Sequence, residues 1–150
     1  MVVDSFGSLY GEQVARLVQK YLAAIEGTGK EVGIHAHNNQ QLAFANTIEA
    51  IVQGANRIDA TVAGMGRGAG NCPMELLLGF LRNPAYRVRP ILQLLQDHFV
   101  ELQDELKWGA LVPYNITGQL NQHPRSAIAM VEGDEQHDYV EFYDKLVADL

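Results

Sequence analysis

The sequence predicts a single α/β domain built on a parallel sheet. Three short runs rich in β-branched residues alternate with two amphipathic helical segments, and each run ends at a polar or glycine-rich turn. Single helices between short apolar strands imply right-handed crossovers and a sheet that is covered on both faces. The 150 residues are 47% hydrophobic and 19% charged, which is the composition of one globular domain that can bury a core.

The first half of the chain has the pattern strand, helix, strand, helix, strand. Strands are predicted at residues 2–6, 31–37 and 57–63. Apolar positions at spacings of three and four predict the first helix near residues 10–26, before Gly27 and Gly29 end it. The second helix is predicted at residues 40–53, with an inward face formed by Leu42, Ala45, Ile48 and Val52.

After Gly70 the chain is predicted to be mostly helical. Pro73 fits the first turn of a helix that runs to about Leu81. A longer helix is predicted from about Pro90, with an apolar stripe at Ile91, Leu95, Phe99, Leu102 and Leu106. Three further helices are expected: one after Tyr114, one capped by Ser126, and one that Asp134 caps and that carries Val140, Tyr143 and Val147.

Charge and cysteine content exclude several function classes. Eleven Lys and Arg residues against eighteen Asp and Glu residues give a net charge of −7, and without a basic cluster we expect no nucleic-acid partner. No apolar run approaches the roughly 20 residues of a membrane span. A single cysteine, Cys72, argues against a disulfide framework and for a reducing, cytoplasmic location. Because the chain starts inside a predicted strand, we expect it to be a piece of a longer protein.

Two histidines end the second predicted strand. His35 and His37 are separated by one residue, so their side chains share a face of the strand and can converge on one cation. The alternative is a pair of ordinary histidines that hydrogen-bond to backbone or water. The spacing alone leaves both interpretations open.

A glycine-rich segment, residues 64–71, follows the third predicted strand. Four glycines in seven positions allow positive φ angles and exposed amides that can face an anion or ligand. The alternative is a flexible turn in which Asn71 caps the next helix. The segment also fits the G-x-G-x-x-A dinucleotide pattern, but no acidic residue follows at the distance that ribose binding requires.

Other side chains have a structural and a functional interpretation. Asp4 and Ser5 end the first strand as rim groups or as turn caps, and Asp59 either supports an imidazole or pairs with Arg57 or Arg67. Cys72 is predicted to be a buried thiol rather than a nucleophile, and we interpret the remaining histidines as solvated or structural: His98, His123 and His137. The polar segments follow successive strands, at the sheet edge where α/β proteins bind ligands.

The three strand-end segments together resemble a known family. Val-Asp-Ser-Phe-Gly, Gly-Ile-His-Ala-His-Asn and the run from Asp59 to Pro73 resemble, in order and spacing, the last three barrel strands of the HMG-CoA lyase-like metal-dependent aldolases. The sequence is most similar to the 4-hydroxy-2-oxovalerate aldolases. The resemblance implies that residues 1–82 are the C-terminal part of a TIM (β/α)8 barrel and that residues 83–150 form a helical C-terminal region.

The resemblance also implies a site and an activity. The cofactor would be a divalent metal, with Mn²⁺ expected first and Mg²⁺, Co²⁺ or Zn²⁺ as alternatives, held by His35 and His37 and, as in the lyase members, by Asn71. Ser5, Gly66 and Gly68 would bind substrate, and Tyr114 matches an active-site tyrosine. The implied enzyme cleaves a 4-hydroxy-2-oxo acid to pyruvate and an aldehyde by stabilising an enolate.

One feature of the family has no counterpart in this sequence. The family's first barrel strand carries an Arg-Asp pair that polarises the oxo group and supplies an acidic ligand, and 150 residues fall short of the roughly 250 of a barrel. We therefore expect the isolated chain to be inactive and, because its sheet edges are uncovered, to form homo-oligomers. The resemblance implies an aldehyde dehydrogenase as a partner. Alternative functions are an acyl-CoA-dependent lyase or synthase of the same superfamily, or a non-catalytic protein-interaction module.

Overall fold

A computed structural model describes residues 1–134 and 137–148 of the chain. Within these residues, three parallel strands form one sheet: β1 (Val2–Asp4), β2 (Gly33–Ala36) and β3 (Arg57–Ile58). The strand order is β1-β2-β3. In the register, Val2 lies opposite Ile34, and Gly33 lies opposite Arg57. The predicted α/β class with a parallel sheet is confirmed.

The first two helices cover the sheet and supply most of the main core. Helix α1 (Gly11–Ala24) buries Val14 and Val18, and α2 (Ala43–Val52) packs against both α1 and β2. The buried face of α2 consists of small residues: Ala43, Asn46, Thr47 and Ala50.

The predicted inward face of α2 is therefore wrong by about one position. Ala45 is exposed, Val52 is 70% exposed, and Leu42 and Ile48 are only half-buried. Small side chains allow the helix to pack closely on β2, while the Thr47 hydroxyl satisfies its donor capacity on the Ala43 carbonyl at 2.7 Å. The prediction used hydrophobicity alone and therefore chose the larger residues next to this contact.

The third strand is much shorter than predicted. β3 ends at Ile58, because Val62–Gly64 form a 3₁₀ turn in which Ala63 has a φ of +55°. The backbone then returns alongside itself: the Thr61 N–H donates to the Cys72 carbonyl at 3.0 Å, and the Met74 N–H donates to the Thr61 carbonyl at 2.9 Å. The glycine-rich segment thus forms a closed loop at the end of β3.

The remainder is helical, as predicted. Helix α3 is followed by a long helix with a π-helical middle (Leu95–Phe99), which separates α4 from α5. The bounds are α3 (Met74–Leu81), α4 (Val88–Leu94), α5 (Val100–Leu106), α6 (Val112–Gln119), α7 (Arg125–Glu132) and α8 (Tyr139–Ala148). Along the predicted stripe, Leu106 is exposed and the other four side chains are half-buried.

Several predicted helix starts differ from the structure. Pro73 is the N-cap of α3 rather than part of its first turn, and Pro124, not Ser126, is the N-cap of α7. Asp134 does not cap the last helix, because α8 begins only at Tyr139. The intervening positions 135 and 136 lie outside the described residues.

A second, smaller core joins the C-terminal helices to the glycine loop. Ala69 from the loop packs with Tyr114 of α6 and with Ala127 and Val131 of α7. The loop is therefore held from both sides, by the sheet and by the helical region.

Among the described residues, no helix is long and apolar enough to cross a membrane.

A candidate metal and substrate site at the carboxyl ends of the strands

Strand β2 places both predicted histidine ligands at the same edge of the sheet. The rings of His35 and His37 have centroids 5.2 Å apart and are inclined by 78°. The Nδ1 atom of His35 lies 3.2 Å from Oδ2 of Asp59. A carboxylate at this distance favours the tautomer with hydrogen on Nδ1, which leaves the Nε2 lone pair of His35 for a ligand.

His37 carries an orphan ring nitrogen. Its Nδ1 is buried and has no hydrogen-bond partner among the described residues. Burial and the charge of Arg67 lower the pKa of His37, while hydrogen bonds between its ring and the backbone of Arg67 and Gly70 act in the opposite direction. A neutral imidazole with a free lone pair is the form that binds a divalent metal.

Asn71 lies beside His37 and has an orphan atom of its own. The two residues form an antiparallel β-bridge, supported by the Asn38 N–H, which donates to the Gly70 carbonyl at 2.8 Å. The Asn71 Nδ2 donates to the Met65 carbonyl at 3.0 Å, whereas its buried Oδ1 has no partner in the described part of the chain. Asn71 does not cap α3, because Pro73 occupies that position.

These residues fit a divalent cation. Two imidazole nitrogens and an amide oxygen are suitable ligands for Mn²⁺, Zn²⁺ and related ions, and buried polar atoms without partners need an explanation. Within residues 1–134 and 137–148, no group of three His, Cys, Asp or Glu side chains is arranged to hold a metal. The candidate donors among these residues are therefore His35, His37 and Asn71, without a carboxylate.

The glycine loop requires glycine for steric reasons. A Cβ atom at Gly66 would lie 2.5 Å from Nδ2 of Asn71, and one at Gly68 would lie 2.8 Å from Oδ1 of Asn39. Gly68 and Gly70 also have positive φ angles of +65° and +90°. The backbone amides of residues 66–68 donate to no acceptor in the described structure, which is consistent with their predicted use in substrate binding.

Asn39 connects the polar segments that follow the strands. The sequence did not predict this role. It is fully buried. Its Nδ2 donates to the Phe6 carbonyl at 2.9 Å, and its Oδ1 accepts from the Ala69 N–H at 3.0 Å. Asn39 thereby ties the end of β1 and the glycine loop to the end of β2. Its place two residues after His37 was the available sequence signal.

Asp4 and Ser5 have different roles at the end of β1. The buried Asp4 carboxylate accepts the Ser8 and Leu9 backbone N–H groups at 3.0 and 3.1 Å, so the turn-cap interpretation holds for Asp4. Ser5 is exposed, and its carbonyl accepts a hydrogen bond from Nη2 of Arg67. The Ser5 hydroxyl has no hydrogen-bond partner among the residues described.

Arg67 and His123 meet at this rim. Nη1 of Arg67 lies 3.2 Å from Nε2 of His123, and the rings of Phe6 and His123 form a T-shaped pair with centroids 5.8 Å apart. Desolvation and the charges of Arg67 and Arg125 lower the pKa of His123. His123 was expected to be merely solvated or structural, and no local pattern in the sequence connects it to a loop 56 residues away.

Tyr114 packs against the glycine loop, next to Gly68 and Ala69. Its ring packs 3.6 Å from the position of a Cβ at Gly68, and it lines a surface pocket of about 260 Å³ with Lys107 and Glu132. Burial and the Glu132 charge raise the pKa of Tyr114. Among the described residues, no hydrogen bond connects Tyr114 with the histidine cluster, which consists of His35 and His37.

Two further predictions concern buried or paired groups. Cys72 is fully buried, as predicted, and burial raises the pKa of its thiol. Asp59 contacts His35, while Arg57 pairs with Glu31 instead. The interpretation of Asp59 as support for an imidazole is therefore the one that the geometry favours.

Comparison with known proteins identifies the family. Residues 1–97 match the family model described as HMGL-like. The 4-hydroxy-2-oxovalerate aldolase of Acidovorax sp. (strain JS42) is 46% identical over 80 residues, covering 53% of this chain and 23% of the relative. The enzyme of that name from Bacillus thuringiensis (strain Al Hakam) is 40% identical over 118 residues, covering 74% of this chain and 34% of the relative. An oxaloacetate decarboxylase of Mycobacterium tuberculosis (strain ATCC 25618 / H37Rv) is 44% identical over 82 residues, covering 54% of this chain and 23% of the relative.

Solved structures agree with this assignment. The N-terminal domain of a putative aldolase from Bacteroides vulgatus superposes with a TM-score of 0.73 at 33% identity, covering 99% of this chain and 46% of that one. An HMG-CoA lyase from Acenitobacter baumannii, solved with coenzyme A and 3-methylmalate, shares the fold, with a TM-score of 0.51 at 19% identity over 91% of this chain and 41% of that one. The chain spans only about a quarter to a third of the length of these curated relatives. It belongs to the HMGL-like family.

Proposed function

We propose that this chain carries the histidine part of a divalent-metal site in an aldolase that cleaves a 4-hydroxy-2-oxo acid to pyruvate and an aldehyde. The observation that carries the proposal is the pair of buried, unpartnered atoms on neighbouring residues, Nδ1 of His37 and Oδ1 of Asn71. Membership of a family whose relatives are named as aldolases supports the reaction class.

The residues would divide the work by chemistry. His35, His37 and Asn71 would hold the metal, with Mn²⁺ as the first expectation. When bound, the cation supplies the Lewis acidity that stabilises the enolate of pyruvate after carbon-carbon cleavage. Ser5 and the free amides at Gly66 and Gly68 would orient the 2-oxo acid, because N–H and O–H donors placed at developing negative charge favour the transition state.

We further propose that the three strands are the C-terminal part of a TIM barrel. An eight-stranded barrel places its catalytic groups at the carboxyl ends of the strands, which is where this cluster lies. The acidic metal ligand and the remaining strands would come from outside residues 1–134 and 137–148. The isolated chain should then bind metal weakly and have no turnover. A cytoplasmic location and an aldehyde dehydrogenase partner belong to the same proposal.

A titration of Mn²⁺ into this chain by calorimetry tests the metal site. We expect weak binding that His37→Ala reduces by at least about ten-fold, because a neutral imidazole ligand is lost. His98→Ala is the matched control, since His98 is an exposed histidine on the π-helical turn, and it should not change the affinity. Equal affinity in both variants, or no binding by the unmodified chain, would contradict the proposed ligands.

The assignment of Tyr114 to catalysis has its own test in the enzyme with a complete barrel. Tyr114→Phe removes only the hydroxyl, so the packing of the ring on Gly68 remains. A fall in kcat without a change in thermal stability would support a catalytic role, and an unchanged kcat would assign Tyr114 to support of the loop.

A second candidate reaction is the decarboxylation of a 2-oxo diacid, which one relative's name, oxaloacetate decarboxylase, suggests. Both reactions leave the enolate of pyruvate and differ in the departing group. Pyruvate release from 4-hydroxy-2-oxovalerate compared with release from oxaloacetate separates them. An assay with acetyl-CoA tests the acyl-CoA alternative. Binding of a dehydrogenase without binding of metal would favour the interaction module.

A further inference from the structure

We propose that Arg67 and His123 form a carboxylate-binding site at the rim, beside the histidine cluster. The ligand would be a carboxylate of the small 2-oxo acid, and this identity rests on the proposed function. The site itself follows from hydrogen-bond donors, charge and position in the described structure.

Two hydrogen-bond donors face the His123 ring, which has at most one acceptor nitrogen. The Arg125 backbone N–H donates to Nδ1 at 3.1 Å, and Nη1 of Arg67 faces Nε2 at 3.2 Å. A neutral imidazole offers one lone-pair nitrogen, and an imidazolium offers none. At least one of the two contacts therefore sets an N–H group against another N–H group.

Both neighbours can only donate, so the single lone pair of His123 serves one of them. In the tautomer that accepts from the Arg125 amide at Nδ1, Nε2 carries the hydrogen. Nε2–H and the Arg67 guanidinium then face each other without an acceptor among the described residues. One carboxylate oxygen bound against both groups would satisfy both donors.

Arg67 also has spare charge and spare donors. A guanidinium has five N–H groups, and the polar contacts of this side chain in the described structure are only with the Ser5 carbonyl and with Nε2 of His123. No carboxylate pairs with Arg67 among the described residues. A planar guanidinium with open donors is the side chain that binds carboxylates best. In a chain of net charge −7, it supplies the local attraction that an anionic substrate requires.

The site is held in place next to the metal candidates. Arg67 lies between Gly66 and Gly68 in the glycine loop, where the Met65 carbonyl accepts a hydrogen bond from Nδ2 of Asn71. The hydrogen bond to the Ser5 carbonyl anchors the guanidinium at the end of β1, and the T-shaped contact with the Phe6 ring orients the imidazole. A ligand carboxylate bound here would extend from the same edge of the sheet as the histidine cluster.

The test is an NMR titration of the metal-free chain, observing the ring protons of ¹³C-labelled histidine. Pyruvate should shift the His123 signals, and methyl pyruvate, which lacks the carboxylate charge, should not. Arg67→Met should weaken pyruvate binding by about ten-fold or more, and Arg67→Lys, which keeps the charge but loses the planar fork, by less. Arg16→Met, an equal charge change on exposed α1, should leave it unchanged.

Two comparisons complete the test. Tighter binding of 2-oxoglutarate than of pyruvate would assign the site to the distal carboxylate of a diacid, whereas equal binding would assign it to the carboxylate next to the oxo group. Equal dissociation constants for Arg67→Met and the unmodified chain, or no binding by a folded unmodified chain, would overturn the proposal. The NMR titration contains no metal, so the two proposals are tested separately. Mn²⁺ binding by a chain whose His123 signals do not respond to pyruvate would overturn this site alone, and the reverse result would overturn only the proposed metal site.

Discussion

At the scale of single residues, Asp59 is the side chain whose effect on the proposed metal site can be separated from ligation. Its Oδ2 lies 3.2 Å from Nδ1 of His35. A carboxylate in this position fixes the tautomer of the ring and makes the imidazole a better ligand. We therefore assign Asp59 a positioning role.

Replacement of this carboxylate should weaken metal binding without removing a ligand. Asp59→Asn should reduce the Mn²⁺ affinity of the chain by about ten-fold, near the lower end of the effect of such partners, as measured by calorimetry. Glu31→Gln is the matched control, because Glu31 pairs with Arg57 at the start of β3. The positioning role would be wrong if both variants lost affinity equally or if Asp59→Asn bound Mn²⁺ normally.

Cys72 should be chemically inert in the folded protein. Its side chain is fully buried, and burial is the main cause of its raised pKa, so less reactive thiolate is present at mildly alkaline pH than for a free cysteine. We expect an aromatic disulfide reagent to label Cys72 slowly at pH 8 and rapidly in urea. Release of the coloured thiolate measures both rates, and equal rates would contradict the predicted burial.

At the scale of elements, the glycine loop packs against the candidate ligand Asn71, so a change in the loop should move this side chain. Gly66→Ala would bring a methyl group within 2.5 Å of Nδ2 of Asn71, so the Asn71 amide would have to move. We expect the Mn²⁺ affinity, measured by calorimetry, to fall. The urea midpoint of unfolding should change little.

Gly79→Ala provides the control for this substitution. Gly79 lies inside α3, and a Cβ atom at this position would meet no atom from outside its own helix within 4 Å, so alanine should stabilise the helix by about 0.5–1 kcal/mol. The Mn²⁺ affinity should not change. A loss of affinity in both variants would show that the Gly66 effect is not specific to Asn71.

At the scale of the whole molecule, the sheet has unpaired edges. Within the described residues, β1 and β3 each pair on one side only, and Val3 on β1 is 53% exposed. Uncovered strand edges favour pairing with other chains. We propose that the isolated chain self-associates.

Sedimentation velocity at micromolar concentration tests this proposal. We expect dimers or larger species, and Val3→Lys should shift the distribution towards monomer, since charge on an edge strand opposes pairing. Val140→Lys adds the same charge at an exposed position of α8 and should have no effect. A monomeric unmodified chain would refute the proposal.

The sequence by itself determined the fold class of this protein and indicated the residues of the candidate site. The alternation of apolar strands and amphipathic helices is a local pattern, so the parallel α/β architecture could be predicted. The spacing of His35 and His37 and the glycines at residues 64–70 were equally visible, because strand geometry and backbone freedom depend on neighbouring residues only.

Only the tertiary structure decided which groups meet. His123 contacts Arg67, and Asn39 connects the end of β1 with the glycine loop. Asp59 contacts His35 rather than an arginine. The buried face of α2 likewise follows from its packing on β2, which small residues allow. Each of these outcomes depends on contacts between residues distant in sequence, whose energies are set by the packed sheet and helices rather than by any local pattern.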